Sequence, residues 1–405
     1  MKFGFALVAG YCLFSIYSAN TVLSSLLPSI GQEYNLSPVI LGFIVSVYGW
    51  SYASMQIPVG IISDKFEPRI ITSLSMLTFF LSTFAFAFSS GGTSFVLSRV
   101  LMGLASSFIF VSGLKGIEYV YEERSRGLAV GIFVSISFCG IAIPNLVVSF
   151  LPLGSLGEWR AIYLGASVLP LVGSILSFIF FPKKLLFLRA STDTSTGEEK
   201  KKRTSEVLRG IRSIIQNRQF MLQNAISFVY FGTFFGVLFW LPSYLESQGA
   251  GIILAGLAVF LLGIGSAIGF AISGWLIHKY GNETRNLKFF MMLYTVFVFI
   301  TILARPQIQY AEAILSFLLG FGTGGSVANT RIVGNLFHKK NAGTVYGIFN
   351  MVGWLGSAFY PLIIGYVLSA GYAFDFALLP LGISMLVALI LSMFVSQKLS
   401  MDARV

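Results

Sequence analysis

The stretch Gly127-Leu-Ala-Val-Gly-Ile-Phe133 returns as Gly343-Thr-Val-Tyr-Gly-Ile-Phe349, 216 residues further along the chain. The same interval carries Lys115 onto Arg331. A second pair of stretches, Gly60-Ile-Ile-Ser-Asp64-Lys65-Phe-Glu67-Pro-Arg69 and Gly274-Trp-Leu-Ile-His278-Lys279-Tyr-Gly281, is separated by 214 residues. Each match is short, but two matches with nearly the same interval indicate a chain built from two related halves. In an apolar chain, repeats of this kind point to a pseudosymmetric assembly whose central site lies between the halves.

The surroundings of the repeats decide the solvent. Of 405 residues, 56% are hydrophobic and 11% are charged, with a mean hydropathy of +0.82. A soluble domain carries about 25% charged residues, so this chain cannot cover a water-soluble globule and belongs in a bilayer. Continuous apolar runs, each long enough for a membrane-crossing helix of roughly 20 residues, occur twelve times between residues 3 and 396. They do not alternate with period two, which selects helices over barrel strands. The first run follows Lys2 and is read as a retained span rather than a cleaved signal.

Basic residues set the orientation. With both termini on the cytoplasmic side, 24 of the 27 Lys and Arg residues fall in cytoplasmic segments, the asymmetry expected of a multi-pass protein of the cell membrane. The net charge of +11 therefore marks a membrane side, and no nucleic-acid partner is expected. Residues 182–218 are polar and carry ten of these bases. They divide the chain into a first six-helix bundle (1–181), a cytoplasmic linker (182–218) and a second bundle (219–405). Val207, Leu208, Ile211, Ile214 and Ile215 share one face of the later linker, as in an interfacial amphipathic helix.

On these residues the chain resembles the major facilitator superfamily over essentially its whole length. Gly60, Asp64, Lys65 and Arg69 occupy the places of that family's charged loop after the second helix, although Glu67-Pro68 replaces its glycine-containing stretch. Arg99 and Gly103 match its Arg-x-x-x-Gly pattern in the fourth helix, and Trp159-Arg160 its outer Trp-Arg. Gly140-Ile-Ala-Ile-Pro144-Asn145 departs from the fifth-helix pattern of its drug antiporters. The resemblance implies twelve helices that rock as two halves, with Asp64, Lys65 and Arg69 in a gate on the cytoplasmic side. Glu122 or Glu123 is expected to accept Arg69. His278, at the place matching Asp64, implies gates of unequal strength.

Ionisable groups inside a bilayer are costly and default to function. Arg99 lies early in the fourth span, with Lys115 and Glu118 near its cytoplasmic end and Arg331 at the matching end of the tenth. Lys115 and Glu118, three apart, can pair; alternatively Lys115 and Arg331 face one vestibule and attract anions. Glu246, Glu312 and Asp375 are placed at the hydrated outer boundary, so no acid is expected deep in a span. At mid-depth the candidates for the substrate site are Asn20, Tyr48, Tyr52, Gln56, Tyr230, Asn350 and Trp354, besides Arg99, Lys115 and Arg331. Tyr48, Tyr52 and Gln56, spaced by four, share a helix face. Gly127/Gly131, Gly265/Gly269 and Gly343/Gly347 are expected to be close-contact pairs.

No hydrolase, zinc-protease or phosphate-loop motif occurs, and Cys12 and Cys139 lie in apolar runs. The expectation is a non-enzymatic secondary transporter, monomeric and without cofactor or metal. It would move a small organic anion, with a coupling ion or counter-substrate. Efflux of drug-like or lipid-like amphiphiles stays open, as does the different class of intramembrane enzyme or non-transporting receptor.

Overall fold

A computed structural model describes residues 2–151, 158–183, 214–303, 309–337 and 342–396. Fourteen helices are formed by these residues: α1 (Lys2–Thr21), α2 (Leu23–Glu33), α3 (Pro38–Lys65), α4 (Pro68–Ala87), α5 (Gly92–Val120), α6 (Glu123–Ser149), α7 (Glu158–Phe180), α8 (Arg218–Ser247), α9 (Ile252–Tyr280), α10 (Glu283–Leu303), α11 (Gln309–Gly322), α12 (Gly325–Asn335), α13 (Ala342–Ser369) and α14 (Phe374–Met393). They make twelve segments long and apolar enough to cross a membrane.

Two expected spans are interrupted. The first divides into α1 and α2 at Val22, and the tenth into α11 and α12 at Thr323-Gly324. The second interruption lies in Gly322-Thr-Gly-Gly325, where glycine makes helix propagation costly. Elsewhere local chemistry sets the ends: Pro38 and Pro68 open α3 and α4, positions where a missing N–H costs nothing. The Asn217 side chain accepts from the Phe220 N–H at 3.0 Å to cap α8. Gly281 closes α9 in the left-handed conformation, φ 63°.

Lipid tails are as apolar as leucine, so these helices associate through close packing and not by burying oily faces. A Cβ on Gly103 of α5 would lie 2.5 Å from the Tyr48 carbonyl oxygen of α3. Gly265 and Gly269 of α9 likewise meet the Phe317 and Phe321 carbonyls of α11, as expected for that pair. Gly131 and Gly347 differ from expectation, since a Cβ on either would meet nothing within 4 Å; side-chain space at Gly127 and Gly343 lies outside the described residues.

The halves meet along two antiparallel seams and through a shorter contact of α2 with α8. On α3 and α13, the Val39 N–H bonds Ser369 Oγ at 2.8 Å. A Cβ on Gly42 would lie 2.6 Å from the Pro361 carbonyl oxygen, and one on Gly49 would lie 2.9 Å from the Ala358 Cβ. Tyr52 and Trp354 follow, then Gln56 and Asn350. On α6 and α9, Gly256 abuts Asn145 and Ser149, Gly263 abuts Ala142, and the Phe138 and Phe270 rings are 4.6 Å apart. Both seams begin at the end bearing Glu33, Arg160 and Glu246 and run towards the end bearing Arg69, Lys115, Lys279 and Arg331, called the basic end below. There, among the described residues, a Cβ on Gly60 of α3, Gly131 of α6, Gly274 of α9 or Gly347 of α13 would meet nothing within 4 Å.

Most of the linker, including Val207, Leu208 and Ile211, lies outside the described residues. Ile214 is 2% exposed and packs with Phe220, Val333, Val345, Ile348 and Phe349, so it is held by the second half rather than by the bilayer interface. Ile215 is exposed.

Candidate functional site

The place where the α3–α13 seam ends is both polar and aromatic. Tyr48, Tyr52 and Gln56 stand one turn apart on α3, and Asn350 and Trp354 one turn apart on α13. The antiparallel register brings the two sets together from opposite halves of the chain. Asn350 Nδ2 donates to Gln56 Oε1 at 2.8 Å. The Trp354 ring lies 4.3 Å from Tyr52 and 5.9 Å from Tyr48, with Phe235 and Phe231 of α8 at 5.1 and 6.3 Å. The arrangement offers amide donors and acceptors beside aromatic faces, with no charged group among these seven residues.

Arg99 is 0% exposed. Its Nε and Nη2 donate to the Ile44 and Val45 carbonyl oxygens at 3.1 and 3.3 Å, and its guanidinium lies 4.7 Å from the Tyr48 ring centroid. Nη1 has no partner. The arginine thus holds α5 to α3 behind Tyr48 and is enclosed in the first half, not set at the seam. Tyr230 donates to the Gly322 carbonyl oxygen at 2.8 Å, tying α8 to the interruption between α11 and α12. Asn20, at the end of α1, is buried with Oδ1 unpartnered.

At the basic end, Arg331 pairs with Glu283 at 3.9 Å and its side chain is 53% exposed. Lys115 is half-buried and has an interaction partner. Arg69 pairs with Glu67 at 3.4 Å and lies over the Phe178 ring at 4.8 Å; of its two expected acceptors, the Glu123 side chain lies outside the described residues. Glu67 is two residues away at the helix start and needs no approach from another helix. Glu118 and Glu122 are exposed. The side chains of Asp64, Lys65 and Glu123 lie outside the described residues. The second half, which has His278 in place of an acid, draws its acid from Glu283 at the start of α10.

Two features at the opposite end were not anticipated. Glu312 is 5% exposed and its Oε2 has no partner, contrary to a hydrated boundary acid. Helical geometry explains this: Glu312, Ser316, Leu319 and Thr323 form one buried face, away from the 62% exposed Ile314. Asn145 forms a clasp, its Oδ1 accepting from Ser25 Oγ at 2.8 Å and Ser24 Oγ at 3.1 Å. The paired serines inside an apolar run were the available signal. Beside it, Glu33 pairs with Arg160 at 2.8 Å and accepts from Trp159 Nε1 at 2.7 Å, giving the Trp-Arg pair a structural role in the first half.

Twelve membrane-length helices in two sets, joined by paired seams around a polar centre, define a membrane transport protein. The family model described as Major Facilitator Superfamily matches residues 9–361, and the chain belongs to that superfamily. It is similar to the probable galactarate/D-glucarate transporter GarP of Escherichia coli strain K12, at 24% identity covering 94% of this chain and 91% of the relative. It is similar also to the probable sulfoacetate transporter SauU of Cupriavidus necator, at 25% identity covering 96% and 93%. In fold it matches a crystal structure of a D-xylose-proton symporter with TM-score 0.77 and 17% identity, covering 98% of each chain.

Proposed function

We propose that this protein is a secondary active transporter of small organic anions, working by alternating access between the two halves. The observation that carries the reading is the Gln56–Asn350 and Tyr52–Trp354 contact, which joins the halves where the packed seam gives way to the open basic end. The positive-inside asymmetry makes that end cytoplasmic, with both termini there, so this conformation is inward-facing in the cell membrane. The relatives' printed substrates, galactarate, glucarate and sulfoacetate, are all small acids and support the substrate class.

The residues suit that cargo. Gln56, Asn350, Tyr48 and Tyr52 donate and accept hydrogen bonds, as hydroxyl and carboxylate groups require, while Trp354 gives an apolar wall. Asn20 and Tyr230 belong to the wider lining. A substrate that replaces the Gln56–Asn350 bond with bonds of its own binds one state better than the other, which is the condition for shifting a conformational equilibrium. Lys115 and Arg331 raise the local anion concentration at the cytoplasmic mouth, and Arg99 adds a fixed positive charge behind Tyr48. Asp64, Lys65, Arg69, Glu118, Glu122 and Glu123 form the charged cytoplasmic rim that closes in the other state. The protein acts as a monomer, with a coupling ion or counter-substrate driving the cycle.

The test is uptake by purified protein in liposomes of labelled D-glucarate and sulfoacetate, with D-xylose and a lipophilic cation as comparators, with and without a pH gradient. Saturable uptake of the acids alone is expected. Movement of the lipophilic cation without the acids would replace the reading with amphiphile efflux, which the Phe231, Phe235 and Trp354 cluster would then serve.

A further inference from the structure

At the outer end a cleft of about 500 Å³ lies between the halves, within the roughly 300–1,000 Å³ usual for small-ligand sites. Pro28 of α2 and Pro38 and Leu41 of α3 form its wall on the first half. Trp240 and Glu246 of α8 and Phe374 at the start of α14 form the facing wall, beside the exposed Tyr372. None of these residues belongs to the polar centre around Gln56 and Asn350.

Glu246 is the one charged residue among the described residues that line the cleft. Its carboxylate is half-buried and has no ion pair or hydrogen bond among the described residues. The surrounding charge has the same sign. The segments joining the outer helix ends of the second half, 248–251, 304–308 and 370–373, contain one base, Arg305, against Glu246, Glu312 and Asp375 on the adjoining helices.

Two helix starts also border the cleft, and a helix start favours an anion. Neither is free to take one. Pro38 has no N–H, the Val39 N–H donates to Ser369 Oγ at 2.8 Å, and those of Ile40 and Leu41 donate to the Ser37 carbonyl oxygen. The start of α14 carries its own acid, Asp375, in its first turn. What the cleft offers is a carboxylate beside aromatic rings, with Trp240 and Phe374 at 6.1 Å from each other, and both kinds of group attract a cation.

We propose that the outer cleft is a binding site for an organic ammonium ion, whose nitrogen meets Glu246 and whose apolar part lies against Trp240, Phe374 and Leu41. It is separate from the site of the transported acid, whose charge has the opposite sign. Because both halves supply walls, an occupant fits only while the outer end is shut; it selects that conformation and slows the cycle from outside. This lock rests on the alternating-access reading above, whereas binding itself does not.

The test is titration calorimetry of the purified full-length protein with 2-phenylethylammonium, with neutral 2-phenylethanol and anionic 3-phenylpropionate as comparators. The ammonium ion should bind at least about tenfold more tightly than the alcohol, and the carboxylate should not bind. Glu246→Gln should remove the tenfold advantage. Ser243→Lys, three residues earlier on the same face of α8, should abolish ammonium binding by occupying the carboxylate. Tyr372→Leu should weaken it roughly two- to fivefold. For the lock, the protein carries Cys12→Ala, Cys139→Ser and Ser357→Cys. Ser357 is buried in the seam, where a Cβ on Gly49 would stand 3.0 Å from its Oγ, so maleimide reaches the new thiol when the outer end parts. Saturating 2-phenylethylammonium should slow that labelling by roughly fivefold or more, and should not do so once Glu246→Gln is added.

Equal affinity for the ammonium ion and the alcohol, or an advantage that survives Glu246→Gln or Ser243→Lys, would overturn the site. Should one of these variants fail to fold, the other decides. Binding that leaves the labelling unchanged would overturn the lock alone. A Ser357→Cys that never labels would overturn alternating access and the lock with it, while calorimetry still decides the site.

Discussion

Arg99 shows how much a buried charge can be asked to do without a counter-ion. Two of its N–H donors satisfy carbonyl oxygens on the neighbouring helix, and a lysine ammonium cannot reproduce that fork. Arg99→Lys should therefore cost about 2 kcal/mol, in the range of hydrogen bonds to charged groups. The measurable outcome is a melting temperature in detergent several degrees lower, and an unchanged value would assign the arginine no clamping role. Gln56→Leu tests the seam at the same scale, because it leaves Asn350 Nδ2 without its acceptor. If the amide pair reads substrate, KM for the transported acid should rise roughly tenfold, one hydrogen bond's worth of about 1.4 kcal/mol, with kcat changing less.

Between helices the decisive variable is how closely backbones approach. Gly103→Ala puts a Cβ 2.5 Å from the Tyr48 carbonyl oxygen, and α3 and α5 must separate to admit it. The expected cost is about 1–3 kcal/mol, typical of overpacking. Gly165→Ala meets nothing within 4 Å and should instead stabilise by roughly 0.5–1 kcal/mol through helix propensity. Thermal melts of the two variants side by side check the contrast, since composition alone gives both the same glycine-to-alanine change. The Asn145 clasp belongs to this scale too. It holds α2 to α6 through Ser24 and Ser25, while α2 also packs against α8 of the second half.

For the whole molecule, the distribution of charge and the place where the seams stop act together. Arg331 is half exposed and paired at 3.9 Å, so water screens it and its pull on an anion is modest. Arg331→Gln should raise KM less than about fivefold, and the difference should vanish at 1 M salt, where the Debye length is about 3 Å. A large effect that survives salt would instead mean direct contact with the substrate.

The sequence by itself determined the bilayer, the twelve spans and the residue types at the centre. Apolar run length, loop charge and internal repeats are one-dimensional quantities that hydrocarbon thickness and the membrane potential read directly. It also placed Tyr48, Tyr52 and Gln56 on one face, because helical spacing needs no partner. That Asn350 and Trp354 meet them was not legible, since the register between α3 and α13 is fixed by glycine contacts between residues far apart in the chain. For the same reason Arg331 found Glu283 and Glu312 turned inward. Only the tertiary structure decided these pairings and the depth at which the halves part, because both depend on how two helices pack against each other and not on what either helix contains.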